Sequence, residues 1–407
     1  MKVGIVIDKL ESEVISGSHF EQAILKQVAK VNGIQNLYFF ILVNEIGSGK
    51  IEVPLEIINL KNYENRINKY PNSKISKLVK LLFRFFKKIL NFKALSKFTE
   101  ILFESPLNLA IEQNSLDFIW NIYTNEEVNI PYIATCLDCY DLVNPYLPEN
   151  NDYWNWVSWN TKASQYYRKA TFIAVSTEVL KNQVMHFYGV PSDKFILNPF
   201  FTPKLNNAIT TFNNIDSSRV IGNNYLFYPA RYTPQKNHIV LLEALKNLKN
   251  KHGFTPQLIL CGKDCGNLEY LKYKVKEFDI EDQIIFLGLV DFVHLVELYK
   301  HAKALVYCSF VGPDNLPPLE AFSYKCPVIA SKVSGAEEQL KDAALLFEPT
   351  NEFELADHIL TIYTDEKMVI NLINKGLEVS KSLSVERYVN NITIRLEQFI
   401  KIHRAWK

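Results

Sequence analysis

The chain has 407 residues, which is too long for one ordinary core and suits two domains of normal size. Hydrophobic residues make up 48% and charged residues 22%, as in soluble globular proteins, and the formal net charge of +1 gives no reason to expect a nucleic-acid partner. MKVGIVID at the N-terminus lacks the features of a signal peptide, and no uncharged apolar run reaches about 18 residues. We therefore expect a cytoplasmic protein.

Short apolar runs alternate with longer amphipathic stretches along the chain. The predicted strands of the first half are Val3–Ile7, Leu37–Val43, Phe118–Tyr123, Tyr132–Cys136 and Phe172–Val175. Those of the second half are Tyr225–Tyr228, Gln257–Leu260, Ile284–Leu287, Ala304–Tyr307, Pro327–Ile329 and Ala344–Phe347. The predicted helices of the second half are Asn237–Lys251, Leu268–Phe278, Val290–Ala302 and Pro318–Ser323. Apolar runs without alternation suit parallel strands buried on both faces, so the pattern predicts a doubly wound α/β fold.

The alternation breaks once, between Pro199 and Gly222, where Asn, Thr, Ser and Pro are common and no period is visible. We predict a Rossmann-like N-terminal domain over 1–200, a linker and loop over 201–222, a Rossmann-like C-terminal domain over 223–384 and a helix over 385–407. Two open parallel sheets that face each other bind ligand in the cleft at the carboxyl ends of their strands.

The six cysteines include two close pairs, Cys136 with Cys139 and Cys261 with Cys265, which have the spacing of zinc half-sites. Most of the six lie in or beside apolar runs, where cysteine behaves as a small hydrophobe, and no His accompanies either pair at ligand spacing. We therefore expect neither a metal nor a cofactor.

The clearest sign of chemistry is the stretch Tyr228–His238, YPARYTPQKNH, which follows a predicted strand and precedes a predicted helix. Arg231 and Lys236 on such a loop can converge on one anion, since Arg offers a planar fork for phosphate oxygens and Lys a mobile charge. The start of the next helix adds a partial positive charge. A pyrophosphate leaving group needs this arrangement, whereas two solvated surface cations are the alternative interpretation.

A second loop, SFVGPDNLPPLEAFSYKCPVIA over 309–330, follows another predicted strand, and a helix is expected to open at Pro317–Pro318. The backbone at Asn315 and Leu316, with the first amides of that helix, predicts an anion-binding end. Glu320, expected in the first turn, can accept two hydroxyls of a ribose. The alternative is a glutamate that only stabilises the helix dipole.

These two stretches, with LILCGKD, IIFLGLV and SKVSGAEEQLKDAALLFEP, resemble the C-terminal domain of retaining glycosyltransferase family 4, glycosyl transferases group 1. The similarity is dense from Tyr225 to Pro349 and keeps the order of the family. It implies the GT-B fold of two Rossmann-like domains with a cleft between them. It also implies roles for matching residues: Arg231 and Lys236 hold the donor diphosphate and are catalytic, Glu320 holds the ribose, and Gly262 and Lys263 lie near the base.

The chain departs from that family in its C-terminal half. A glutamate usually stands eight residues before the position matched by Glu320, and here that position is Gly312. Asp314 is a candidate substitute, although a Pro-Asp turn also explains it. Further upstream, TFIAVSTEVLKNQVMHFYGVPSDKFILNPF matches the family sequence ahead of the linker, with Ser176 at its characteristic serine.

The acceptor side resembles the family more loosely. Aligning Asp141 with the family's Asp puts Tyr140 at the position of its usual His, and aligning Asp138 instead also leaves that His missing. In the family, a Gly-rich loop approaches the donor phosphate at the position of Gly17. A glycine there permits close approach of the backbone to the phosphate. His19 beside it is an acceptor-side candidate, with a helix-start residue pointing at water as the alternative.

The resemblance implies a retaining hexosyltransferase that uses a UDP- or GDP-linked sugar and a glycan or lipid-linked acceptor, in cell-surface polysaccharide or lipopolysaccharide assembly. Front-face displacement is the mechanism thought to operate in this family, with the leaving phosphate taking the acceptor's proton. The protein would then act by positioning and charge stabilisation. A catalytically degenerate nucleotide-sugar-binding scaffold is the alternative, because of Gly312 and the missing His.

Residues 74–99, KISKLVKLLFRFFKKILNFKALSKFT, contain eight Lys or Arg and no acidic residue, interleaved with Leu, Ile and Phe at roughly helical spacing. This pattern is typical of a helix lying in an anionic membrane interface, which would place the protein on the inner face of the plasma membrane. A core-facing helix with a solvated basic face is the alternative.

Overall fold

The computed structural model describes residues 1–10, 16–46, 53–63, 105–123, 126–203, 224–312 and 314–405. The described residues form two parallel sheets of seven and six strands. The first sheet contains β1 (Lys2–Leu10), β2 (Tyr38–Ile46), β3 (Glu56–Asn59), β4 (Phe118–Asn121), β5 (Tyr132–Thr135), β6 (Phe172–Val175) and β7 (Phe195–Leu197). The second contains β8 (Tyr225–Pro229), β9 (Gln257–Cys261), β10 (Ile284–Gly288), β11 (Ala304–Tyr307), β12 (Val328–Ser331) and β13 (Ala344–Phe347).

Both sheets have the same strand order, which reverses at the first strand of each: β3-β2-β1-β4-β5-β6-β7 and β10-β9-β8-β11-β12-β13. This is the doubly wound order of dinucleotide-binding folds, and the reversal creates a crevice at the strand carboxyl ends. The predicted α/β class with two Rossmann-like units is confirmed. We call the parts that contain the first and second sheets the N-lobe and the C-lobe.

Helices connect the strands in both lobes. Those of the N-lobe are α1 (Ser16–Val31), α2 (Pro106–Gln113), α3 (Tyr140–Val143), α4 (Tyr153–Lys169) and α5 (Glu178–Tyr188). They are followed by α6 (His238–His252), α7 (Leu268–Glu277), α8 (Phe292–His301), α9 (Leu316–Ser323), α10 (Ala336–Leu340), α11 (Glu352–Thr364), α12 (Glu366–Ser382) and α13 (Val385–His403). Several begin at a side-chain cap, as where the Ser384 hydroxyl accepts the Arg387 amide at 3.2 Å before α13.

Several of the strands that sequence reasoning found are completely buried. All four residues of β4, β5, β11 and β12 are buried, because helices cover both faces of the sheet there. The two strands that it missed, β3 and β7, form the edges of the first sheet. They are short and partly exposed, and the apolar runs in EIIN and FIL have only two and three residues, too few to indicate a strand.

The last helix, α13, packs against the N-lobe. The Phe399 ring lies edge-on to Phe118 at 5.0 Å, and the Tyr388 ring contacts Phe20 at 5.4 Å. Arg395 also donates to the carbonyl of Phe195 in β7 at 3.0 Å. One buried hydrophobic cluster therefore runs through both lobes and joins them behind the cleft.

Some predicted segments lie outside the described residues. They include 74–99, the basic stretch, and the linker predicted over 201–222 except for its first three residues. The domain boundaries drawn around that linker stay a prediction. Across the part of the chain that the structure describes, no helix combines the length and the apolar character needed to cross a membrane.

Candidate functional site

The candidate residues of the C-lobe follow β8, β9 and β11, the three central strands around the reversal of strand order. The loop 230–237 continues from β8, Gly262 follows β9, and the loop 308–315 continues from β11. Because these strands are parallel, their carboxyl ends meet at one edge of the sheet. The topology therefore gathers the two sequence stretches singled out above.

The loop after β8 is held rigidly. Pro234–Lys236 form one 3₁₀ turn, and Asn237 has a left-handed backbone, with φ of 50°, just before α6. The Tyr228 hydroxyl donates to the carbonyl of Lys236 at 2.5 Å, and the Asn237 amide group donates to the carbonyl of Pro349 at 2.7 Å. These bonds fix the direction in which the Lys236 side chain leaves the loop.

Lys236 is half-buried and leads into a polar chain that crosses the crevice. Its Nζ donates to the Tyr307 hydroxyl at 3.0 Å, and that hydroxyl donates to Asn315 Oδ1 at 2.9 Å. Ser309 Oγ lies 3.5 Å from the same Nζ. The structure thus brings together Lys236 and Asn315, which were predicted separately. Sequence reasoning missed Tyr307, because a tyrosine at the end of a buried strand looks like a core residue.

Arg231 is exposed, and among the described residues its guanidinium has no hydrogen bond or ion pair. Its neighbours are backbone: Ala230 N donates to the carbonyl of Cys261 at 2.9 Å, and Tyr232 N donates to that of Lys263 at 3.0 Å. The exposed Lys263 therefore lies on the chain segment beside Arg231, adding a third cation to this edge of the sheet. An Arg held on a fixed backbone with an unengaged guanidinium suits an anionic ligand.

Gly262 allows this approach of the two segments. A Cβ at this position would overlap the carbonyl of Ala230, so a larger residue would push β9 and the loop after β8 apart. The residue was predicted to lie near the nucleotide base. The structure places it at the seam between the two segments.

Glu320 lies deeper than predicted. Helix α9 begins at Leu316, so Glu320 belongs to the second turn, not the first, and it is 7% exposed. The buried hydroxyl of Tyr299 donates to its Oε2 at 2.7 Å. Burial raises the pKa of Glu320, and the hydrogen bond from Tyr299 opposes this rise. A glutamate kept for the helix dipole alone would be near the end of the helix and exposed, so the buried geometry favours a binding role.

The start of α9 offers fewer amides than expected. The Asn315 amide donates to Gln339 Oε1 at 3.2 Å and is therefore engaged. Leu316 is the first helical residue, and its amide belongs to the unpaired first turn. Pro317 and Pro318 have no N–H. The predicted anion-binding end thus reduces to the amide of Leu316, with the cations supplying most of the charge.

The departure at Gly312 has a structural reason. A Cβ there would collide with the carbonyl of Ser334, so this backbone has no room for the glutamate of the related pattern. Asp314 does not replace it at the cation cluster, because it accepts a hydrogen bond from the Ser176 hydroxyl of the N-lobe. Burial, followed by the charges of Asp138 and Glu338, holds the pKa of Asp314 well above its usual range.

The acceptor-side candidates Tyr140 and Asp141 line a cavity of about 700 Å³ in the N-lobe. Asp141 is buried, and its Oδ2 accepts from the Asn160 amide group at 2.7 Å. Asp138 precedes them beside the cleft, where burial of its carboxyl group raises its pKa and the charge of Lys236 from the other lobe lowers it. The cavity and the C-lobe cations therefore lie on opposite sides of one cleft.

The structure separates His19 from this cavity. The imidazole stacks on Phe292 of α8 with ring centroids 4.0 Å apart, a contact between the two lobes, so it neither lines the cavity nor points at water. Burial lowers the pKa of His19, which favours the neutral ring. Gly17 lies in the first turn of α1, directly after the segment that follows β1. His19 is thus a lobe contact.

No metal site is formed by the described side chains, since no three His, Cys, Asp or Glu residues in this part of the chain are placed to hold an ion. Five of the cysteines are buried and Cys265 is exposed, all as free thiols.

Two facing doubly wound sheets with a polar cleft define the GT-B class of fold. The sequence agrees: residues 212–379 match the family model described as glycosyl transferases group 1. This match lies in the C-terminal part of the chain, over the C-lobe.

Curated proteins are similar to about half of this chain. O-antigen chain mannosyltransferase B of Escherichia coli is 26% identical over 222 residues, 53% of this chain and 58% of that protein. O-antigen chain mannosyltransferase RfbU of Salmonella typhimurium is 26% identical over 189 residues, 46% of this chain and 49% of that protein. The chain thus matches about half the length of these relatives. The crystal structure of HepE from Anabaena in complex with UDP and glucose aligns with a TM-score of 0.65 at 16% identity, covering 98% of this chain and 100% of that one.

Proposed function

We propose that this protein is a retaining hexosyltransferase that moves a sugar from a UDP- or GDP-linked donor to a glycan or lipid-linked acceptor. One observation carries the proposal: Lys236, Tyr307 and Asn315 form a hydrogen-bonded chain across the crevice of the C-lobe. Arg231 lies on the same loop with an unengaged guanidinium. Such a cluster is suited to a diphosphate.

Each residue of the C-lobe site has its own role in the proposal. Arg231 and Lys236 neutralise the charge that develops on the leaving diphosphate, and the Leu316 amide adds a neutral donor. Glu320, held by Tyr299, accepts hydrogen bonds from the two ribose hydroxyls. This arrangement fixes the donor sugar at the mouth of the N-lobe cavity. No metal or cofactor is part of the proposal.

The proposed reaction follows front-face displacement. The bond between the anomeric carbon and the diphosphate oxygen breaks, and the acceptor oxygen bonds to the same face of that carbon. The proton of the acceptor hydroxyl passes to the leaving phosphate oxygen, so configuration is retained without a protein nucleophile. Catalysis then consists of positioning and charge stabilisation, which is what fixed cations on a rigid loop supply.

Relatives favour a role in cell-surface polysaccharide or lipopolysaccharide assembly. The two curated relatives above are named O-antigen chain mannosyltransferases, and HepE was crystallised with UDP-glucose as well as with UDP. One of the fold neighbours is WaaG, a glycosyltransferase involved in lipopolysaccharide biosynthesis. We propose the same broad class of product for this chain, on the cytoplasmic side of the membrane.

The test is a binding and turnover screen on the purified protein with UDP-, GDP- and ADP-sugars. A bound donor raises the melting temperature by mass action, and release of the nucleoside diphosphate reports transfer or hydrolysis. Lys236→Ala should weaken binding of the preferred nucleoside diphosphate by at least about tenfold, which is about 1.4 kcal/mol. It should lower turnover by about 10²-fold or more.

Lys251→Ala is the matched control. Lys251 also lies over an aromatic ring, 4.2 Å from the Phe353 centroid, but at the far end of α6. Its removal should leave binding and turnover unchanged. Equal effects of the two substitutions would contradict the assignment of Lys236. Donor binding without any turnover would favour the catalytically degenerate scaffold instead.

A further inference from the structure

The N-lobe cavity has a lining that differs from the rest of the cleft. Six aromatic rings contribute to its wall: Tyr123, Tyr140, Trp156, Trp159, Tyr167 and Tyr188. Four carboxyl groups also line it, from Asp138, Asp141, Glu149 and Asp152, against a single cation, Lys162. Its volume of about 700 Å³ is in the range of small-molecule sites.

The cavity meets the C-lobe cations directly. Glu149 Oε1 accepts the backbone amide of Gln235, the residue before Lys236, at 2.9 Å. Asp138, on the same wall, is close enough to Lys236 for each charge to act on the other. A molecule in the cavity would therefore reach the place where the proposed donor sugar ends.

The two indole rings of the wall differ in how they are held. Trp156 Nε1 donates to the carbonyl of Asp141 at 2.9 Å, which locks its ring in the wall. Trp159, one turn further along α4, is 51% exposed. Large planar rings with one exposed face bind the apolar C–H face of a sugar, because they bury area at little cost in side-chain entropy.

The carboxyl groups have unused acceptor capacity. Asp141 is already bonded to Asn160, and Asp152 accepts from the Asn155 amide group at 2.7 Å. In contrast, Glu149 Oε2 is buried and has no hydrogen-bond donor among the described residues. A buried acceptor of this kind is stabilised by a ligand hydroxyl, whereas an anionic ligand there would face four carboxyl groups with Lys162 as the cation of the lining.

We propose that the acceptor is an uncharged saccharide end that stacks on Trp159 and donates hydroxyls to Glu149 and Asp138. Acceptors with a phosphate or a carboxylate on the reacting sugar are rejected by the same wall. This inference deepens the proposed function, since it names the substrate class of the acceptor side. The charge pattern separates the substrates: the anionic donor goes to the cationic C-lobe and the neutral acceptor to the acidic N-lobe.

The experiment measures saccharide binding by saturation-transfer NMR. The probes are methyl glycosides of neutral hexoses, each paired with the corresponding uronic acid and 6-phosphate. At least one neutral glycoside should bind, and its anionic partners should bind at least about tenfold more weakly. Glu149→Gln combined with Asp152→Asn should reduce the difference in affinity between the neutral glycoside and its anionic partners. Equal or tighter binding of the anionic partners, or no binding of any neutral glycoside, would overturn the inference.

Two variants on one helix locate the site. Trp159→Ala should weaken binding of the neutral glycoside about tenfold or more. Trp154→Ala should leave this binding unchanged, because Trp154 is 68% exposed on α4 and does not line the cavity. Identical affinity in Trp159→Ala would also refute the stacking. Nucleoside diphosphate binding is measured on the same samples: if it persists while saccharide binding fails, only the inference falls. If it too is absent, the proposed function falls with it.

Discussion

The hydroxyl of Tyr299 should set the pH range over which the protein binds a nucleoside diphosphate. It is the donor to buried Glu320 Oε2 at 2.7 Å, and ribose binding needs Glu320 ionised. A hydrogen bond to a charged group contributes about 1.5 to 3 kcal/mol, and about 1.4 kcal/mol corresponds to one pKa unit. Tyr299→Phe removes a bond that lowers the pKa of Glu320, so that pKa should rise further. The acid limb of binding should move to higher pH.

Isothermal titration calorimetry from mildly acidic to alkaline pH, with the diphosphate that the binding screen selects, measures this limb. Tyr324→Phe is the control: the Tyr324 ring stacks on Tyr299 at 5.9 Å, and its hydroxyl is buried without a hydrogen-bond partner among the described residues. Losing that hydroxyl should leave the pH profile in place. If Tyr299→Phe shifts nothing, or if both variants shift the limb equally, Glu320 is not the titrating group that controls binding.

Three further substitutions test the frame around the site. Burial and the charge of Asp8 raise the pKa of Glu21 from 4.5 to about 7. Between these two pKa values the native state holds a proton that the unfolded chain has lost, so the free energy of unfolding falls as pH rises through this range. Glu21→Gln should therefore be more stable than the wild type near pH 8, by up to about 3 kcal/mol, and equal to it near pH 4, in urea unfolding. Gly312→Ala should lose about 1 to 3 kcal/mol in the same assay because its Cβ meets the carbonyl of Ser334, and unchanged stability would contradict that geometry. Glu338→Ala removes the carboxylate that accepts two backbone amides at the start of α5, at 2.7 and 3.1 Å, and so links the two lobes. X-ray scattering should therefore show a larger radius of gyration for this variant, and an identical radius would argue against a role of this contact in holding the lobes together.

Most of the fold could be predicted because buried parallel strands have continuous apolar sequences. The runs ALVY and FIAV became β11 and β6 at the predicted boundaries. The edge strands β3 and β7 were missed because their apolar runs have only two and three residues, whereas the longer runs of β10 and β13, the edges of the second sheet, were found. The return of α13 to the N-lobe could not be predicted either, because a helical period shows that one face is apolar but not which surface will cover it.

The site was predicted where chemistry depends on neighbours in sequence, and missed where it depends on contacts between distant elements. Lys236 and Asn315 stand on loops after strands, so their direction followed from topology alone. Tyr299 and Tyr307, which bond Glu320 and Lys236, look like ordinary core tyrosines in the sequence. The available hint was chemical: a buried phenol needs a partner, and each of these had a polar candidate residue elsewhere in the chain.

The glycine at position 312 also explains the position of Asp314. Without a side chain at position 312, the loop after β11 can lie against the carbonyl of Ser334, and this packing brings Asp314 to Ser176 of the N-lobe. Position 312 thus carries no carboxylate, and Asp314, the nearest one in this loop, contacts the N-lobe instead. On the facing wall, Asp138 is the carboxylate within electrostatic reach of Lys236. Donor selection in this chain would therefore depend on how the lobes close as much as on the C-lobe itself.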